Sequence, residues 1–290
     1  MTEEEQKLTD RRFYKARQEA GFAEAQTETP QTQSASYQLA FRDVDFLLRE
    51  ELRPVRFQLE LLKPEMLLEE ANIGSTLVMY GSARIPAPEH CEALLAAADT
   101  DEKRAVAERL VAKSKYYEVA RQLARTASTC AVVEKGMRQF VVCSGGGPSI
   151  MEAANRGAAE VGAETIGLNI VLPHEQAPNR YVTPRLSFQF HYFALRKMHF
   201  LLRARAVAVF PGGFGTLDEF LELLTLIQTG KMKPMPILLY GKEFWTRILN
   251  FEALAEEGVI NRKDLDLFHW CETAADGWEK IVEFYGLDCG

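Results

Sequence analysis

The chain has 290 residues, with 34 Lys and Arg against 41 Asp and Glu, a formal net charge of −7 and 47% hydrophobic residues. That length permits one large domain or one domain with an extension, and either can bury a sizeable core. The acidic balance weighs against a nucleic-acid binder, which needs a basic face to displace counterions from phosphates, but it leaves room for a local anion site.

The amino terminus, MTEEEQKLTD, is acidic and lacks the basic start and apolar core of a signal peptide, and no stretch is apolar for long enough to span a bilayer. A cytoplasmic protein without a membrane partner is expected. Residues 1–36 are charged and rich in Gln, Thr and Ser, which reads as a poorly ordered tail. Over residues 37–74 the apolar positions Phe41, Val44, Leu47 and Leu48, then Phe57, Leu61 and Leu62, recur at helical spacing, interrupted by Pro54 and Pro64. This segment reads as a helical extension packed on a neighbour.

From residue 75 to 290 the pattern changes to short apolar runs that end in glycines and lead into helical patterns. The runs are TLVMYGSA, FVVCSGGG, TIGLNIVL, LSFQFHYF, AVAVFPGG and MPILLYG. Between the first two, residues 89–129 read as an inserted helix and a long core helix. The tight βαβ spacing predicts an α/β fold: a Rossmann-like, doubly wound parallel sheet with ligands bound beyond the carboxyl ends of the strands.

Three glycine turns lie at that edge: Tyr80-Gly81-Ser82-Ala83-Arg84, Ser144-Gly145-Gly146-Gly147-Pro148-Ser149 and Pro211-Gly212-Gly213-Phe214-Gly215-Thr216. Glycine admits close backbone approach, and a following helix offers unpaired N–H groups to an anion, so the turns together can cradle a phosphate. Glycines also end strands in any α/β protein. Neither the Walker pattern nor GxGxxG with its downstream acid is present, which weighs against nucleoside triphosphatase and dinucleotide chemistry. Thr216 and Glu219 have the T-x-x-E spacing of a capping box, in which both side chains merely close a helix end. The same spacing would hold the Glu219 carboxylate near an anion captured by Gly213–Thr216, with Arg196, at a strand-to-helix junction, as its counterpart.

No metal site is expected, because His174, His191 and His199 lack HExxH spacing and His191 reads as a core histidine in an apolar strand. The five cysteines, without CxxC spacing, read as free thiols, and Cys143 as a packed residue rather than a nucleophile.

The run Pro211–Glu219 matches the PGGxGTxxE signature of the LONELY GUY family, cytokinin riboside 5′-monophosphate phosphoribohydrolases once misnamed lysine decarboxylases. Arg196-Lys197 matches the Arg-Lys pair that precedes it, and the chain resembles that family over residues 75–249. The resemblance implies hydrolysis of the N-glycosidic bond of a nucleoside 5′-monophosphate, AMP or a cytokinin riboside monophosphate, without a cofactor. It implies Arg196 and Glu219 as the catalytic pair. Gly81, Ser82, Ser144, Gly145, Gly146, Gly147, Gly212, Gly213, Gly215 and Thr216 become nucleotide-site positions, with Glu175, Lys197 and Thr225 as further contacts. One departure is Gly147-Pro148-Ser149-Ile150-Met151-Glu152, where many members carry further glycines. A homodimer or higher homo-oligomer is also implied. The rival reading is a non-catalytic nucleotide or molybdenum-cofactor carrier, since such carriers are similar in fold and glycine turns but would not need the Arg196 and Glu219 pair. Lysine decarboxylation is discounted, because no lysine sits in these turns to form a Schiff base with pyridoxal phosphate.

Overall fold

The computed structural model describes residues 13–173 and 177–288. The chain divides into two compact units between Leu59 and Glu60. The first contains helices α1 (Ala16–Glu24) and α2 (Val44–Leu47) and the start of α3 (Arg53–Glu70). Residues 16–24 are thus helical where the composition reads as a poorly ordered tail. No described residue of this unit is buried, although apolar residues recur at helical spacing from Phe41 onward.

The second unit is built on seven parallel strands in the order β6-β5-β4-β1-β7-β8-β9. They are β1 (Thr76–Tyr80), β4 (Val141–Ser144), β5 (Ile166–Ile170), β6 (Ser187–Phe190), β7 (Ala204–Val209), β8 (Ile237–Tyr240) and β9 (His269–Cys271). A two-stranded antiparallel ribbon, β2 (Val133–Glu134) with β3 (Met137–Arg138), precedes β4. The six expected strands are all present, as β1 and β4 to β8, and every pairing in the large sheet is parallel. Chain order runs outward from β1 through β4, β5 and β6, then returns to place β7 on the other side of β1. Doubly wound sheets open a crevice at such a reversal, beyond the strand ends.

Helices cover both faces. The segment between β1 and β2 supplies α4 (Cys91–Ala96), α5 (Asp101–Val111) and α6 (Lys115–Cys130). Later crossovers supply α7 (Ile150–Ala159), α8 (Phe193–Leu202), α9 (Phe214–Gln228), α10 (Lys242–Ile248) and α11 (Phe251–Glu256), and α12 (Ala274–Tyr285) follows β9. Strand alternation sorts β1 between the layers: Leu77 and Met79 pack with Tyr117, Leu123, Ile150 and Trp278, whereas the ring of Tyr80 meets Phe200 of α8 edge-on at 5.1 Å.

α3 runs unbroken through both prolines. Pro54 falls in the first turn, where no N–H is needed. Pro64 cannot donate to the carbonyl of Glu60 four residues back, and that carbonyl instead accepts from His199 Nε2 at 3.0 Å. His199 is therefore the buried histidine of α8, held neutral by burial, which lowers its pKa, while His191 is exposed. The expectation of a core role for His191 fails because β6 stops at Phe190. Among the cysteines, Cys91, Cys143 and Cys271 are free, but Cys130 is disulfide-bonded, contrary to the expectation of free thiols throughout.

Candidate functional site

The end of β1 and the turn after β7 are joined by main-chain bonds. Phe210 N–H donates to the Tyr80 carbonyl at 2.9 Å, and Ser82 N–H donates to the Pro211 carbonyl at 3.1 Å. Gly81 has no room for a side chain, since a Cβ there would lie 2.5 Å from Ile150 Cγ2 of α7. Gly212 is equally constrained, because its Cβ would lie 2.2 Å from Thr216 Oγ1. The first turn continues as a loop before α4 rather than leading straight into a helix, whereas the second and third turns run directly into α7 and α9.

Gly213 is the N-cap of α9, and no side chain closes that helix end. Thr216 therefore stands at N3 and Glu219 in the second turn, so the T-x-x-E spacing is not a capping box here. The first N–H groups of a 15-residue helix are left for another acceptor, at its positive dipole end.

Glu219 points towards α8. Its Oε1 accepts from Arg196 Nη1 at 3.3 Å, while Arg196 Nε donates to the Leu168 carbonyl of β5 at 2.6 Å and the guanidinium lies 4.9 Å from the Phe200 ring. Only 9% of Arg196 is exposed. Burial pushes the Glu219 carboxyl up to about 7, against the opposing pull of Arg196. The neighbouring Tyr80 hydroxyl is pushed well above its ordinary value, first by burial and then by the Glu219 charge. Burial likewise raises the Cys143 thiol, which removes it as a thiolate nucleophile at neutral pH.

Arg196 and Glu219 border a cavity of about 690 Å³, within the range of small-molecule sites. Of the sequence-derived positions, Gly81, Ser82, Arg196, Gly212, Gly213, Gly215, Thr216 and Glu219 line it. The others are placed differently. Ser144 is fully buried, donating to Asn155 Oδ1 at 2.7 Å and accepting from Gly146 N–H at 3.0 Å, so it shapes the second turn from beneath. Gly145 makes space for Arg196, whose Nη2 lies 2.5 Å from where a Cβ would be, and Gly146 makes space for Asn169. The Gly147 carbonyl accepts from Asn179 Nδ2. Lys197 pairs with Asp218 and Glu222 at 3.2 Å each, and burial, which lowers its pKa, is outweighed by these two carboxylates. Thr225 bonds to the Leu221 carbonyl of its own helix and does not line the cavity. Glu175 lies outside the described residues.

Sequence reasoning did not single out Arg84, Met151, Phe214 or Ile248, which also line the cavity. Arg84 and Phe214 lie within the quoted turns and were legible there. Met151, in the segment that departs from the family pattern, brings its Sδ within 2.8 Å of a Gly145 Cβ position. Ile248 comes from the end of α10, where no motif marks it.

The fold and site together define a doubly wound α/β protein with an uncapped glycine-turn helix facing a buried Arg–Glu pair at the strand-order reversal. Comparison with known proteins identifies the family it resembles. The sequence model of the family described as "possible lysine decarboxylase" matches residues 151–281. Cytokinin riboside 5′-monophosphate phosphoribohydrolase LOG3 of Arabidopsis thaliana is 26% identical over 147 residues, 50% of this chain and 67% of that protein. The probable LOG4 enzyme of Oryza sativa subsp. japonica is 25% identical over 49% of this chain and 62% of its own length. The resemblance to the LONELY GUY family is thereby established. Among solved structures, a molybdenum-cofactor-binding protein from Rippkaea orientalis aligns with 18% identity and a TM-score of 0.42, covering 60% of this chain and 89% of its own. A Moco carrier protein from Chlamydomonas reinhardtii has the same identity and TM-score, covering 73% and 98%. Among the described residues no helix is long and apolar enough to cross a membrane.

Proposed function

We propose that this protein hydrolyses the N-glycosidic bond of a nucleoside 5′-monophosphate, AMP or a cytokinin riboside monophosphate, to free base and ribose 5-phosphate. The observation that carries this reading is the Glu219 carboxyl, raised to about 7 beside Arg196, on the wall of the cavity that the uncapped start of α9 also lines. The 5′-phosphate sits on the α9 turn, where helix N–H groups take an anion. Its binding energy fixes the ribose against Glu219.

Cleavage develops positive charge on the ribose ring, which a carboxylate stabilises, and the same carboxylate can take the proton of the attacking water. Water oxygen bonds to C1′ as the C1′–N bond breaks, its hydroxyl stays on the ribose, and the proton taken up by Glu219 passes to the departing base nitrogen, which restores the carboxylate. Arg196 neutralises Glu219 between turnovers and contributes positive charge towards the phosphate side. Phe214, 92% exposed at the cavity edge, offers a ring face to the base.

The test is a panel of nucleoside monophosphates and plain nucleosides, with released base and ribose 5-phosphate measured. Release from monophosphates well ahead of nucleosides is expected. Equal rates on both would remove the phosphate cradle from the account, and no release from any monophosphate would leave the carrier reading.

A further inference from the structure

A second cavity, of about 340 Å³, shares Ile248 with the first. It is enclosed by the last turn of α5, the start of α6 and the helix α10. Arg109, Lys113, Lys115 and Arg247 line it, with the rings of Tyr116 and Phe244, and Glu243 is its only acid. Those charges sum to three positive ones, in a chain whose net charge is −7.

Several arginines elsewhere in this unit are paired with carboxylates: Arg121 with Glu118 and Glu160, Arg138 and Arg185 with Glu164, Arg156 with Glu89, Arg203 with Glu65. Among the described residues, none of the four cations of this cavity is in an ion pair. Lys113 Nζ donates to the Arg109 carbonyl at 2.7 Å and stands 5.9 Å from the centre of the Phe244 ring. Burial lowers the pKa of its ammonium, and Arg247 and Arg109 lower it further. Like charges gathered without partners repel one another, and a multivalent anion relieves that repulsion.

We propose that this cavity binds an anion with two linked phosphates, as inorganic pyrophosphate or as the diphosphate of a nucleotide. A single phosphate carries at most two negative charges near neutral pH, whereas a diphosphate matches the three positive charges, and arginine forks suit adjacent phosphate oxygens. Phe244 supplies the surface on which a base would stack in the nucleotide case. This assignment is independent of the reading of the Arg196–Glu219 cavity.

Titration calorimetry on the full chain tests it, with inorganic pyrophosphate and ADP as separate probes. The Arg109→Gln/Arg247→Gln double variant changes two exposed residues, and a melting curve checks that it is folded. Pyrophosphate affinity is expected to fall roughly tenfold or more in that variant. The same binding component persists in Arg196→Gln, which alters the neighbouring cavity instead. ADP binding tighter than pyrophosphate, with the gain lost in Phe244→Leu, assigns the nucleotide form; equal affinity assigns recognition of the diphosphate alone. No pyrophosphate binding by the unaltered chain, full affinity in the double variant, or loss confined to Arg196→Gln would overturn the proposal.

Discussion

At Glu219, the raised carboxyl makes the nucleosidase reading measurable. Replacement by Gln keeps shape while removing charge and base, so turnover should drop about a hundredfold or more with nucleotide binding largely retained. Because no capping role exists for Glu219 to preserve, near-normal turnover in this variant would eliminate it as the working carboxylate. The ionised form does the work, so kcat/KM should rise with pH through a midpoint near 7 and lose that limb in Glu219→Gln. Stability carries the opposite sign. A carboxyl raised from 4.5 to about 7 keeps its proton in the folded state where the unfolded chain has released it, so its contribution falls as pH rises across that window. The drop in melting temperature between pH 5 and pH 8 should therefore be smaller in Glu219→Gln than in the unaltered protein. Gly145 offers a steric test of the same pair. A Cβ there meets Arg196 Nη2, the movable end of a side chain, so Gly145→Ala should lower turnover about tenfold or more through a displaced guanidinium, with a modest change in melting.

Among the elements, α8 is the one whose placement the site depends on most, and it is fastened by α3. The Glu60 carboxylate accepts from His191 N–H at 2.9 Å and Tyr192 N–H at 3.2 Å at the start of α8, while its carbonyl, released by Pro64, holds His199 a further two turns along. Glu60→Ala should cost about 1–2 kcal/mol in denaturant unfolding, as the loss of a charged helix cap does, and should reduce kcat more than binding. The pairing of α6 with α7 is closer still. A Cβ at Gly157 would lie 2.1 Å from the Arg121 carbonyl oxygen, and Gly157→Ala should destabilise by about 1–3 kcal/mol because main chain cannot step aside. Six strands and the site edge were legible in the sequence because buried parallel strands are written as unbroken apolar runs ending in glycine. β9 was not, since His269–Cys271 is a three-residue edge strand with His269 and Trp270 exposed. Nor was the two-residue ribbon β2–β3, or the N-cap at Gly213, because T-x-x-E reports a spacing and not which residue begins the helix. The Glu60–Pro64–His199 arrangement spans more than a hundred residues of sequence, beyond the reach of any local pattern.

For the whole molecule, the exposed apolar residues Met198 and Leu202 of α8 and Leu221 of α9 lead us to propose self-association. Light scattering should give a mass above the 32.7 kDa of one chain, and a value at that mass would count against it. The sheet order also has a temporal side. Thr76 of β1 is paired with Ala204 of β7, so the two turns bonded across the cavity are contributed by stretches that leave the ribosome far apart in time. The half of the sheet from β1 through β6 can assemble first, but the pocket does not exist until the return strand docks beside β1. Pairing across such a sequence distance carries a large loop-closure cost and is slow. During refolding, helix signal should therefore recover before ligand binding, and a nascent chain ending before β7 would expose the open flank of its central strand as a template for aggregation.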